Sequence, residues 1–191
     1  DKMSYGFVID EMEDDPEHVL LATYPFGRFT TGARPTIVRV NVYNGGQKNF
    51  GKVPLGNARV LTDSTGEPRF AAGENTKAEL VVISKSRESQ NWDELTRSKI
   101  AGGTISGLKF IENDTKVLVL DDTESSTAKI KSIDINTGEE EVIFHHPKYD
   151  PSPVIVDDEV IAVTVAPGYE QVYWLDDNTE VGQIARAAMG Y

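Results

Sequence analysis

Cysteine is absent from the 191 residues. Its absence excludes a disulfide framework, a thiolate metal site and a cysteine nucleophile, and leaves the compartment of the protein undetermined. Imidazole is scarce too, with His18, His145 and His146 the only histidines. Basic charge is in deficit: 19 lysines and arginines face 31 aspartates and glutamates, for a net charge of -12. A surface of that sign repels phosphate backbones, and no basic run interleaved with aromatics offsets it, so nucleic acid is not an expected partner. The surplus of carboxylates reads first as a solvated, soluble surface. No apolar run approaches the ~20 residues that cross a bilayer, so no membrane span is expected. The opening residues lack a basic segment followed by an apolar one, so no signal peptide is read. A chain that opens on aspartate reads as a piece of something longer.

What is present is 39% hydrophobic and 26% charged, enough for one sizeable core. The clearest pattern is residues 117–144, VLVLDDTESSTAKIKSIDINTGEEEVIF. Short runs rich in Val and Ile at 116–120, 128–135 and 141–144 are separated by a polar break at 121–126 and a turn at Asn136, Thr137 and Gly138. Branched side chains suit a pleated surface, whereas Asp, Asn, Ser, Thr and Gly favour turns, so the stretch predicts an antiparallel meander. Residues 108–111, closed by Glu112, Asn113 and Asp114, add a fourth strand in front. A four-stranded sheet of about forty residues cannot bury both faces alone and must stack on others of its kind, as the blades of a β-propeller do.

Comparable units are read along the rest of the chain. Residues 4–10 alternate, an acidic turn at 11–15 with Pro16 follows, and 18–24 and 36–43 read as strands. Asn44, Gly45 and Gly46 predict a hairpin into a polar strand, the same order of strand, Asn, Gly and polar strand as at 134–138. A second unit takes in 57–62, a turn at Asp63 to Gly66, 68–72, 79–84 and Trp92 to Leu95. Residues 101–107 read as a glycine-rich linker. A fourth unit takes in 153–156, a turn at Asp157 and Asp158, 159–165 and 169–175. Val19, Val60, Phe110 and Ile155 are read as equivalent points of the opening strands, at roughly the forty- to fifty-residue repeat of blades. Residues 179–190 read as a helix: Val181, Ile184, Ala185 and Ala188 share one face, and Asp177 with Glu180 is placed to cap the start. The expectation is an all-β chain, a β-propeller fragment of about four blades bounded near 4–55, 56–100, 107–147 and 153–191, with a short C-terminal helix.

The candidates for chemistry are weak. A nucleophile elbow needs G-x-S-x-G, and the Gly103 to Gly107 stretch has the wrong spacing. His145 and His146 are adjacent, so on a strand they point to opposite faces; with Asp150 or His18 as further ligands they still lack a helical metal motif, and a turn-stabilising role is the better reading. The pairs Asp14–Asp15, Asp121–Asp122, Asp157–Asp158 and Asp176–Asp177 fit hairpin turns better than calcium loops. Trp92–Asp93 is a lone dipeptide rather than a WD repeat, and Asn113-Asp114-Thr115 matches the short glycosylation pattern inside a tight turn. No catalytic, metal-ligating or cofactor-binding set is assigned, and no cofactor is expected.

Several segments, in order, resemble the amino-terminal β-propeller of prolyl-oligopeptidase-type (S9) serine peptidases, in the acylaminoacyl- and dipeptidyl-peptidase-like branch. They are Val8-Ile9-Asp10, Asp14 to Leu20, Val38 to Val42 with its Asn-Gly turn, Thr62 to Arg69, Ile133 to Gly138, His145 to Asp150 and Leu175 to Gly190. The resemblance implies a propeller that caps a hydrolase domain, gating and positioning peptide substrates. The chain departs from the family in having room for about four blades, where the family has seven, and in containing no hydrolase domain, so no catalytic residue carries over. Peptide substrate and that hydrolase domain are the partners this reading implies. The alternative is a self-standing protein- or ligand-binding propeller module, closed alone or by homodimerisation through apolar faces left open at the two ends. A glycosidase-like propeller is a third and weaker reading.

Overall fold

Short apolar runs punctuated by Asp, Asn and Gly fold into four successive meanders. The computed structural model describes residues 3–27, 32–86, 89, 91–98, 102–156 and 159–175, with Gln183 and Ala187 beyond them. The first sheet holds β1 (Ser4–Asp10), β2 (His18–Pro25), β3 (Thr36–Asn41) and β4 (Gln47–Lys52). The second holds β5 (Gly56–Thr62), β6 (Pro68–Glu74), β7 (Leu80–Ser84) and β8 (Asp93–Ser98). The third holds β9 (Ile105–Ile111), β10 (Lys116–Asp121), β11 (Lys129–Asp134) and β12 (Glu140–His145). The fourth has three strands among the described residues, β13 (Ser152–Val156), β14 (Glu159–Val165) and β15 (Gln171–Trp174). Every neighbouring pair is antiparallel and consecutive in the chain.

The sheets stack through three apolar layers. Leu20, Ala22 and Ile37 of the first meet Ala58, Ala71, Val81 and Ile83 of the second. Phe70, Ala72 and Val82 meet Phe110, Val117, Val119 and Ile133 of the third, while Leu118 and Ile130 on the third sheet's other face meet Val163 of the fourth. Strand β10 is therefore apolar without alternation, because each of its faces is covered by a sheet. Strand β1 touches β5, and β5 touches β9. The opening strands thus gather at a hub, whereas the closing strands β4 and β12 are largely exposed at the rim. This is the radial arrangement of a β-propeller, with an all-β fold as the sequence predicts.

The β3–β4 and β11–β12 turns are the same device. Asn41 Oδ1 accepts from the amides of Tyr43 and Asn44, and its carbonyl accepts from Gly45. Asp134 Oδ1 accepts from Asn136 and Thr137, and its carbonyl accepts from Gly138. Gly45 and Gly138 both have left-handed backbone, with φ of 72° and 75°, which glycine adopts without steric penalty. The likeness expected between these turns holds, but the pivot is the last strand residue, Asn41, rather than Asn44.

Other expectations are corrected in detail. The proposed linker at 101–107 runs into β9: Ile105, Ser106 and Gly107 pair with Asp121, Leu120 and Val119. Gly107 lies in that strand because a Cβ there would come within 2.9 Å of the Phe70 ring. Val19 belongs to a second strand, β2, whereas Val60, Phe110 and Ile155 lie in opening strands; the opening strand of the first sheet is β1, the alternating segment at 4–10. The helix expected over 179–190 lies outside the described residues, Gln183 and Ala187 apart. The Asp157–Asp158 and Asp176–Asp177 pairs lie outside them too.

Close approach of backbones sets one further requirement. A Cβ on Gly73 of β6 would meet the Gly56 carbonyl oxygen at 2.7 Å and the Ala58 Cα at 2.8 Å. Both are backbone atoms beside the irregular pairing of β5, so they have nowhere to retreat. Gly73→Ala is expected to lower stability by about 1–3 kcal/mol, read as a lower urea midpoint with an unchanged denaturant slope.

Candidate functional site

In a meander, the turns after first and third strands leave at one end and the turn after the second strand at the other. At the first end the β1–β2 turn stands beside the β5–β6 turn, and the two enclose a cleft of about 470 Å³ lined by Asp10, Glu11, Met12, Glu13, Asp14, Asp15 and residues 63–66. The cleft therefore spans two sheets. Asp10 Oδ1 accepts from the Met12 amide, which holds Met12 in left-handed backbone at φ 55°. Asp15 receives His18 Nδ1 at 2.9 Å, and this hydrogen bond, opposed by partial burial and helped by the nearby His18 and Arg39 charges, keeps its carboxyl below the ordinary carboxylate range. Glu11, Glu13 and Asp14 have no ion-pair partner among the described residues and are exposed on the rim.

The second wall of the cleft is rigid. Asp63 closes the β5–β6 turn by accepting from the Thr65 amide, the Thr65 hydroxyl and the Glu67 amide. Burial opposes its charge, but these hydrogen bonds and Arg69 outweigh burial and lower its pKa. Ser64, next in the turn, donates through its amide and hydroxyl to Asp114 of the β9–β10 turn, at 3.1 and 2.6 Å. Asp114 sits in a run of left-handed backbone at Glu112, Asn113 and Asp114 (φ 52°, 55° and 61°), which L-residues adopt at some cost unless held by partners. A neighbouring cleft of about 410 Å³ lies between the β5–β6 turn and the β7–β8 loop, lined by Glu67, Arg69, Lys85, Ser86 and Ser89 among others. Burial lowers the Lys85 pKa, partly offset by Glu67, and its ammonium lies 4.7 Å from the Trp92 ring centre.

The opposite end carries aromatic groups. Tyr5 stacks on Tyr24 at 5.3 Å between ring centres, with Phe7 and Phe26 edge-on to them. Phe7 is 61% and Phe26 59% exposed. Tyr24 reaches the second sheet by donating to the Ala58 carbonyl at 2.8 Å, and burial raises its pKa. The sequence reading passed over this cluster, although Tyr5 and Phe7 alternate on one strand and face Tyr24 and Ala22 on the next.

The residues singled out in the sequence are not brought together. His18 lies in the first sheet, bonded to Asp15. His145 Nε2 is 3.2 Å from the Thr127 hydroxyl, and the His146 ring accepts from the Lys148 and Tyr149 amides and stacks on Tyr149. Asp150 accepts from the Ala128 amide. These contacts organise the connection after β12, as expected of a turn-stabilising pair. Among the described residues no three His, Asp or Glu side chains are grouped to hold a metal ion. Asp121 is tied to Lys131, and Asp122 accepts from Thr104. Trp92 is the partner of Lys85, and Asn113-Asp114-Thr115 is the inter-sheet turn just described.

No protein-family model matches the chain, and no curated protein matches it. Among solved structures it is similar to the crystal structure of TolB from Acinetobacter baumannii, with a TM-score of 0.53 and 8% identity over 90% of this chain and 40% of that one. The chain thus spans less than half the length of that structure. At such identity the likeness bears on the fold, a β-propeller type, and function has to be argued from the site. No helix among the described residues is long and apolar enough to cross a membrane.

Proposed function

We propose that the chain is a non-catalytic propeller module that binds a cationic peptide segment at the end carrying the β1–β2 and β5–β6 turns. The observation that supports this reading is the cleft between the β1–β2 and β5–β6 turns, in which exposed carboxylates on one wall face a hydrogen-bonded wall on the other. Loops held at the end of a rigid β-stack are where binding surfaces of such folds occur. Carboxylates without ion-pair partners attract lysine and arginine side chains at low ionic strength. Calorimetric titration with a lysine- and arginine-bearing peptide and a charge-neutral peptide of equal length tests it. Binding is expected for the basic peptide alone, to weaken with added salt, and to fall in a Glu11→Gln, Glu13→Gln, Asp14→Gln triple variant. Equal behaviour of the two peptides removes the proposal.

A second reading rests on the ordered segments that resemble serine oligopeptidases: the module gates and positions peptides for a hydrolase domain. It shares the cleft and differs in what lies beyond it. Under both readings the isolated chain does not cleave short chromogenic peptides, and hydrolysis by the purified chain contradicts both. Homodimerisation through the first sheet belongs to the binding-module reading. There Val8, Leu21 and Val38 lie opposite one another on the face away from the second sheet, and Val8 is 55% exposed. At the other end Ile161, Ala162 and Val163, which alternate in direction along β14, are all buried; on the first sheet Val38 is buried and Leu21 half-buried, so the exposed apolar surface there is at Val8.

A further inference from the structure

A second polar site lies on the first sheet, adjoining the acidic cleft through Asp15, and its charge is of the opposite sign. Strands β3 and β4 place Arg39 directly opposite Lys48. Two cations in that position repel each other, because directly opposed antiparallel residues have Cβ atoms only about 5 Å apart. In a chain with 31 carboxylates and 19 basic groups, such a pair would be expected to attract a carboxylate from a neighbouring strand. None is close. Lys48 has no ion-pair partner among the described residues; its ammonium rests 5.0 Å from the Phe50 ring centre. The Arg39 Nη1 is 3.9 Å from Asp15 Oδ2, beyond hydrogen-bond distance, and Asp15 spends its other oxygen on His18 Nδ1 at 2.9 Å.

Among the described residues the Arg39 Nε is buried without a hydrogen-bond partner, while the side chain as a whole is 31% exposed. A guanidinium whose Nε is stripped of water and unbonded gains more from an anion than a fully hydrated one does. The two cations open on a cavity of about 330 Å³, bordered by His18, Asn41, Asn44 and Gln47. Asn41 is not available to move, since its Oδ1 already accepts from the Tyr43 and Asn44 amides. The Asn44 side chain, through Oδ1, accepts from the Gly46 amide. The cavity is therefore set by the same turn that joins the strands carrying the two charges.

We propose that this cavity is an oxyanion site, in which Arg39 and Lys48 together hold a phosphate or carboxylate group of a ligand. A single oxyanion between the two converts a repulsive cross-strand pair into two charge-assisted contacts, and the planar fork of Arg39 suits two oxygens at once. Asp15 subtracts one charge from the cluster and leaves it net positive. The site does not depend on the acidic cleft binding anything.

The test is a titration of the intact chain with inorganic phosphate, and separately with acetate, followed by amide chemical shifts at constant ionic strength maintained with sodium chloride. Saturable shifts confined to residues 39–48 are expected, and whichever anion saturates at the lower concentration identifies the group recognised. Lys48→Gln, on an exposed strand, is expected to weaken the effective anion by about tenfold or more, as loss of one charge-assisted contact implies. Lys48→Glu abolishes binding and, by giving Arg39 a cross-strand partner, raises the melting temperature in anion-free buffer, which separates a binding loss from misfolding. Linear shifts identical to those given by chloride, or saturation unchanged in Lys48→Gln, overturn the proposal.

Discussion

Lys131→Met is expected to destabilise the protein by about 3–5 kcal/mol, the range for stranding one member of a buried ion pair. Lys131 lies on β11, on the face packed toward the second sheet, and its side chain is 8% exposed. Its ammonium is 2.5 Å from Asp121 Oδ2 and 2.9 Å from Glu140 Oε2, and the Asp121 side chain is 4% exposed. Asp121 Oδ1 also accepts from the Thr123 amide and hydroxyl. Methionine fills the space of the lysine stem, so what is lost is charge rather than volume. The Asp121 carboxylate then remains buried with only Thr123 to satisfy it. Adding Asp121→Asn removes the stranded charge, and the double variant is expected to recover most of the loss. A double-mutant cycle in urea measures the difference.

The sign of the pH dependence follows from the same contacts. Burial opposes the charge of Asp121, but the hydrogen bonds from Lys131 and Thr123 prevail and lower its pKa. Burial likewise opposes the charge of Lys131, and Asp121 and Glu140 prevail to raise its pKa. A depressed carboxyl pKa stabilises the fold above its unfolded value and ceases to do so as pH falls through the folded value; a raised ammonium pKa stabilises below its unfolded value and ceases as pH rises through the folded one. The advantage of the native pair over Lys131→Met is therefore full between about pH 4 and pH 10 and shrinks outside that window. A constant advantage down to acid pH would mean that the loss comes from packing.

Asp63→Ala is expected to be of similar size, about 3–5 kcal/mol, for a different structural reason. Asp63 and Arg69 are both nearly buried, with side chains 1% and 8% exposed, and Arg69 Nη1 lies 3.2 Å from Asp63 Oδ2. Arg69 also donates to the Lys85 and Asp114 carbonyls, and its guanidinium lies 5.7 Å from the Phe110 ring centre. The β5–β6 turn, the β7–β8 loop and the third sheet meet at this one side chain. Removing Asp63 leaves Arg69 as a buried cation and leaves the Thr65 and Glu67 amides without their acceptor. Asp63→Asn keeps the oxygen that those amides use and removes the charge, so it is expected to cost less. Amide exchange at Ser64 follows the link between sheets: it quickens in both variants if the turn is held through Arg69, and stays protected if the Ser64–Asp114 bonds suffice.

The acidic cleft was half legible. The Glu11 to Asp15 turn stands out in the sequence as a charge run, and Asp63 to Gly66 as a turn. That the two face each other across neighbouring sheets is a fact of stacking, and nothing in either stretch encodes it. The Arg39–Lys48 pair was hidden for the same reason. Nine positions separate the two residues, and only the β3–β4 register sets them opposite. The lone strand periodicity of TIVRVN shows that Arg39 alternates with apolar residues, but not what lies across from it.

Composition and local pattern determined the class of this protein. Branched apolar runs of four to eight residues, broken by Asp, Asn and Gly, have few alternatives to antiparallel strands, because side-chain period and turn chemistry act over a handful of residues. The repeated Asn41 and Asp134 turns were readable for that reason. Tertiary structure decided the rest. It placed glycines 73 and 107 where backbone or an aromatic ring leaves no room for a Cβ. It also buried Lys131 and Arg69, two residues whose charge would ordinarily put them at the surface. Those outcomes depend on which sheet lies against which face, and that is settled by burial and electrostatics summed over contacts far apart in the chain.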